Sequence, residues 1–214
     1  ITFVDNDSLH KRYAPLFIVG FGTGMRIGEL LSLTWKDIDF QKEVIHVNKT
    51  LVYLSDYVKQ GGKPRFTITT PKTERSTRDV PMLGKVKEAL LVQMKDRKKL
   101  NKLSIDGYRD FVFTSKTGNV FLDGSIRTTI KRIINKMNQE ETELAKAEGR
   151  EPVIFDYFTP HCMRHTFATR CYEKGVREKV IQKILGHSKL DMTLNIYTHT
   201  TEEMIEEDIK KLEG

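Results

Sequence analysis

Apolar positions three and four residues apart open the chain and predict helices. "DNDSLHKRYAPLFIVGFGTG" reads as a capped helix closed by glycines, and "MRIGELLSLTW" restarts one, with Ile27, Leu30, Leu31 and Leu33 at helical spacing. The period then drops to two. "KEVIHVNKTLVYL" and "RFTITT" are rich in Val, Ile, Thr and Tyr and flank the turn "KQGGKP"; "TPKTERST" follows as a polar loop and "RDVPM" as a short returning strand. These predict one small antiparallel sheet near the front. Helical spacing returns in the basic amphipathic "LGKVKEALLVQMKDRKKL", gives way to a short strand "FVFTS" with a "KTGN" turn, and resumes in "DGSIRTTIKRIINKMNQ". "EETELAKAEGREP" is polar throughout and predicts an exposed excursion. From Thr159 onward the pattern is helical again, broken at Lys174-Gly175 and at Gly186 to Ser188. With no internal repeat, the reading is a single mostly helical α+β domain over residues 1–214 carrying a small antiparallel sheet.

Length adds that 214 residues suffice to bury a sizeable core. The longest apolar run, "PLFIVGFG", is far too short to cross a membrane, and the absence of a basic-then-apolar leader makes the cytoplasm the expected location. Cys162 and Cys171 stand nine positions apart on one predicted helix, too far for a disulfide, which suits a reducing compartment. The chain starts at Ile1 rather than at methionine, which predicts a fragment of something longer. Charge changes the picture more. The formal net charge is +7, yet the stretch from Glu202 to Gly214 holds six acids against two lysines and so carries −4, leaving +11 on residues 1 to 201. That surplus favours a polyanionic partner.

Candidate chemistry concentrates in "TPHCMRHTFATR", Thr159 to Arg170. Thr159 suits an N-cap and Pro160 the first helical position, so His161 falls in the first turn and Arg164 on a neighbouring part of that face. The positive end of the helix favours an anion there and keeps His161 neutral, able to accept a proton. Arg164 lies beside the apolar Phe167 and Ala168, and a partly desolvated guanidinium needs an anionic partner. Zinc fits less well: His161 and His165 have a helical i, i+4 spacing, but no Glu follows the first histidine and no second cluster of ligands appears. A purely structural His161 stays open on this stretch alone. "GTGMRIGEL" sets Arg26 after two glycines at a helix start, suited either to a phosphate or to a plain surface turn. "LGHS" leaves His187 on an exposed corner, and Tyr197 sits in "LNIYTHT" among Leu194, Ile196 and threonines, where packing is the ordinary role.

Four segments in order, "TGMRIGELLSL", "TPKTERSTRDVPM", "HCMRHTFAT" and "ILGHSKLDMTLNIYTHT", resemble the successive signature boxes of tyrosine recombinases, the phage-integrase family. The likeness covers nearly the whole chain and is greatest to integrases of conjugative transposons and temperate phages. It implies that Arg26 and Arg164 are the active-site arginines, Lys72 the β-hairpin lysine, His161 the first histidine, His187 the second and Tyr197 the nucleophile. Lys63, Arg65, Arg75 and Arg78 lie near Lys72 and compete for its role. His165 and His199 are expected to be structural or to support the reacting residues, and Glu29 to orient or pack near Arg26 rather than react.

The resemblance implies strand exchange on double-stranded DNA through a 3′-phosphotyrosyl intermediate, and the side chains suit it. Free tyrosine has a pKa of about 10, so Tyr197 needs a base, for which neutral His161 is the candidate. Arg26, Arg164 and His187 would hold the non-bridging oxygens, and Lys72 would protonate the leaving 5′-oxygen. No cofactor and no metal is expected, because the two arginines supply the positive charge. The basic helices around Lys85 to Lys102 and Arg127 to Lys136 are candidates for the DNA backbone, each true contact adding about one unit to the salt slope of binding. The expected assembly is a homo-tetramer on DNA. Ile205, Ile209 and Leu212 form an apolar stripe on the acidic C-terminal tail, which would be exchanged between protomers or pack on its own domain. Two other functions remain to be tested against this one: DNA relaxation of the type IB topoisomerase kind, and a non-catalytic DNA-binding regulator.

Overall fold

The computed structural model describes residues 11–55, 65–70, 77–95 and 103–186. Lys72, His187, Tyr197, His199 and the acidic tail lie outside them, as do Lys63, Arg75 and the "KQGGKP" turn.

Helix α1 (Ala14–Thr23) follows a 3-10 turn at Lys11–Tyr13. Leu16, Phe17, Val19, Gly20 and Thr23 are all buried, so the helix is covered on nearly every side, as its apolar sequence dictates. The helices that cover it, α3 (Gly84–Lys95) and α5 (Pro160–Glu173), come from distant parts of the chain. Gly24 ends α1 at φ 62, and α2 (Ile27–Ser32) starts directly afterwards, burying Leu30 and Leu31.

The strand region departs from expectation. Among the described residues two antiparallel sheets form, not one. β1 (Ile38–Asp39), β2 (Val44–Val47) and β5 (Arg78–Pro81) make a three-stranded sheet in the order β1-β2-β5, while β3 (Thr50–Leu54) and β4 (Arg65–Thr69) pair separately. The break falls at Asn48 and Lys49, inside what reads as one strand. Lys49 is turned inward at 3% exposure, bonded to Asp37 and lying over the Tyr108 ring at 5.3 Å. Asp37 also accepts the backbone N–H and hydroxyl of Thr34, both at 2.7 Å, so the buried carboxylate is well satisfied. Burying that pair costs the ladder its continuity. "FVFTS" likewise forms single bridges, Thr34 to Phe111 and Thr114 to Val120, because Phe111, Val112 and Phe113 are all buried and plug the core without alternating.

Helix α4 spans Asp123–Glu148 and runs through most of the segment expected to be an exposed excursion, which is exposed but helical. Its Glu, Ala, Leu and Lys residues are good helix formers, Ala145 is fully buried, and Gly149 closes the helix at φ 69. The chain then returns along α4 without a ladder. Val153 N–H donates to Glu141 at 2.9 Å, and Asn138 bonds both the N–H and the carbonyl of Phe155 at 2.8 and 3.0 Å. This strap leads into α5. After the expected break at Lys174 and Gly175 comes α6 (Glu178–Leu185), ended by Gly186. Phe167 and Ala168 of α5 and Ile181 and Leu185 of α6 make a small second core beside the main one. The whole is a mostly helical α+β fold with small antiparallel sheets, and among the described residues no helix is long and apolar enough to cross a membrane.

Candidate active site

Arg164 is the centre of the arrangement. It sits one turn into α5 on the face that buries Met163, Phe167 and Ala168, and is only 2% exposed. Its fork points at two main-chain carbonyls: Nη1 donates to Gly24 at 2.8 Å and Nη2 to Leu185 at 2.7 Å. Those carbonyls end α1 and α6, the helices that precede Arg26 and His187 in the sequence. Gly24 is required there twice over, by its left-handed backbone and by space, since a β-carbon would stand 2.6 Å from Phe167 and 2.8 Å from Leu185. The glycine expected to admit a phosphate thus admits α5 and α6. Among the described residues no carboxylate bonds to Arg164, so its charge is held by carbonyl oxygens. Burial, then the positive Arg26, lowers its pKa to about 9, with Glu29 opposing; the guanidinium remains charged at neutrality.

Arg26 occupies the N-cap position of α2. Glu29, one turn on, reaches back to accept its backbone N–H at 2.8 Å and its Nη1 at 3.0 Å, while the arginine side chain stays 42% exposed. The expected orienting role of Glu29 is therefore what the geometry gives. Glu29 itself is buried and also accepts Arg78, Nη1 at 3.1 Å and Nη2 at 2.8 Å. Burial alone would raise the Glu29 carboxyl; the hydrogen bond and charge of Arg78, followed by those of Arg26, outweigh it and hold it below the usual carboxylate range.

Arg78 was a competitor for the role of Lys72, and its position removes it from that contest. The guanidinium is buried against Glu29, and Nε donates to the Ile184 carbonyl, so it has no path to a leaving oxygen. The period-two burial of β5, with Arg78 and Val80 inward and Asp79 and Pro81 outward, is the signal in the sequence that puts Arg78 inside. Arg65 stands on the exposed end of β4.

His161 falls in the first turn of α5, as its spacing from Thr159 predicts, and is exposed. Thr159 holds the N-cap position, but its hydroxyl lies 3.6 Å from the Cys162 sulfur instead of capping a backbone N–H. His165 packs edge-on to His161 with ring centroids 4.5 Å apart. Desolvation, then the charges of His165, Arg164 and Arg26, lowers the His161 pKa, so the ring is neutral and basic at pH 7. His165 is thus an electrostatic neighbour of His161, within the structural or supporting role expected of it. Among the described residues no three His, Cys, Asp or Glu side chains gather as a metal site.

Arg26, far in sequence from His161 and Arg164, therefore shares one electrostatic neighbourhood with them. Two positively charged forks beside a neutral imidazole can hold an anion and accept a proton next to it.

The phage integrase family model matches residues 1–204. A tyrosine recombinase XerC-like protein of Caldanaerobacter subterraneus is 34% identical over 194 residues, 88% of this chain and 46% of that protein. The transposase from transposon Tn916 of Enterococcus faecalis is 29% identical over 212 residues, 99% of this chain and 48% of that protein. Among solved structures, a Tn1549 transposon integrase in complex with transposon right end DNA matches with a TM-score of 0.84 at 31% identity, over 100% of this chain and 62% of that one. The chain spans about half the length of the curated relatives it matches.

Proposed function

The chain belongs to the phage integrase family, and from that membership we propose that it is the catalytic domain of a tyrosine site-specific recombinase, an integrase that cuts and rejoins duplex DNA to integrate and excise a mobile element. The observation that carries this reading is the meeting of Arg26, Arg164 and a neutral His161 at the junction of α1, α2, α5 and α6. A scissile phosphate is the anion that this set suits. Tyr197 attacks the phosphorus while its proton passes to His161; the bond to the 5′-oxygen breaks, and Lys72 protonates that oxygen. The products are a 3′-phosphotyrosyl link and a free 5′-hydroxyl. Attack on that link by a 5′-hydroxyl from another duplex returns the proton to Tyr197 and completes the exchange. Arg26, Arg164 and His187 stabilise the charge that gathers on the non-bridging oxygens, and removing one such donor costs about 10²–10³ in rate.

Support for the mobile-element reading comes from likeness to a transposon transposase and to an integrase whose structure holds transposon-end DNA. The active assembly is a homo-tetramer on two DNA sites in the cytoplasm, with the tail from Glu202 to Gly214 exchanged between protomers. A nicked suicide duplex carrying the element's end tests the chemistry. We expect a covalent adduct mapping to Tyr197, no adduct with Tyr197→Phe, and exchange between two such sites. A chain that traps no DNA is not the enzyme proposed, and one that relaxes plasmid without exchanging strands is a topoisomerase.

A further inference from the structure

Arg78 joins three pieces of chain that lie far apart in the sequence. It starts β5; its two terminal nitrogens grip Glu29, 49 positions earlier; and its Nε donates at 2.5 Å to Ile184, 106 positions later. Through Glu29 it reaches Arg26, whose backbone N–H and Nη1 share the same two carboxylate oxygens. Through Ile184 it grips the last turn of α6, where the next carbonyl, of Leu185, is held by Arg164. The guanidinium is therefore a planar three-donor spacer between the start of β5, the start of α2 and the end of α6. We propose, resting on the recombinase reading, that Arg78 is a positioning residue for strand cleavage: it sets Arg26 and the end of α6 at the separation that a single phosphate requires, without touching DNA.

The chemistry of the side chain fits the task. A buried cation with an anionic partner on one edge and a carbonyl on the other has one orientation, and only a guanidinium offers all three donors in one rigid plane. Lysine keeps the charge but cannot bond Glu29 through both oxygens and Ile184 together. Misplacement of a clamping group by about 1 Å costs about 10²-fold in rate.

The test uses the whole chain, Arg78→Lys, and three nicked duplexes: one with an ordinary scissile phosphate, one with a methylphosphonate there, which removes one non-bridging charge, and one with a 5′-bridging sulfur. The unmodified chain must first form its adduct on the ordinary duplex; if it does not, the recombinase reading itself fails. Given that adduct, Arg78→Lys is expected to slow cleavage of the ordinary phosphate about 10–100-fold at saturating DNA, with half-site affinity within about twofold. On the methylphosphonate the defect should shrink, because less charge needs the misplaced arginine. A 5′-bridging sulfur, which leaves without a proton, should not rescue the variant. An equal defect on both phosphates, rescue by sulfur, or an unchanged rate would each overturn the proposal. Should Arg78→Lys not fold, Glu29→Gln cuts the same link from its other side and is held to the same outcomes.

Discussion

Desolvation and three positive influences act on His161 at the start of α5: His165 and Arg164 on the next turn of the same helix, and Arg26 across the junction. Each penalises the imidazolium, so the ring stays neutral to lower pH than an ordinary histidine with a value of 6.5. The sign of the consequence is fixed. A base is active when deprotonated, so cleavage should persist below pH 6.5 and fall only as pH drops through the lowered value. His165→Ala removes one of the charges and some of the cover, raising the His161 pKa and moving the acid limb to higher pH. Cleavage rates at limiting DNA, measured from pH 5 to 8, report this free-protein value; an unmoved limb would mean that another group is the base.

At the scale of elements, the helix ends set apart two glycines of equal backbone type and unequal surroundings. Gly149 closes α4 at φ 69 with nothing within 4 Å of a β-carbon, whereas Gly24 at φ 62 has Phe167 and Leu185 against it. Gly149→Ala should therefore cost about 1 kcal/mol, the backbone penalty alone, and leave cleavage unchanged. Gly24→Ala should cost about 1–3 kcal/mol more from crowding, and should lower adduct yield by shifting a carbonyl that holds Arg164. Denaturant titration beside suicide-substrate trapping separates the two. The helices that bury one stripe, such as α3 and α6, were legible in the sequence because one-sided burial writes a period into it. The second half of α4 was not: Ala145 is its buried residue, so no stripe exists to read, and its helical state follows from propensity and the closing glycine. The split between β2 and β3 was hidden for the opposite reason, because Lys49 has the type of a surface residue and the location of a core one. In the site, residue type and spacing raised Arg26, His161 and Arg164 as candidates and left their roles open; the resemblance of the signature segments assigned them. Their partners were hidden, since carbonyls carry no sequence signature and Arg78 looked like one more hairpin base.

On the scale of the whole molecule, the charge is unevenly shared: −4 on the terminal stretch from Glu202 to Gly214 against +11 on the remainder. Ile205, Ile209 and Leu212 recur there at helical spacing. With that stretch deleted, binding of one protomer to a half-site should hold, while assembly of several protomers on a full site, followed by sedimentation, should weaken. Unaltered assembly would place the tail against its own domain. The architecture around Arg164 has a longer consequence. Its two anchors are peptide oxygens, which every amino acid supplies, so the clamp reads the backbone at residue 185 while the side chain there answers only to the small second core. What selection must guard at this clamp is the path of the backbone and the glycine at position 24, where a β-carbon would strike Phe167 and Leu185. Distant relatives can therefore look unlike around this clamp and yet grip identically.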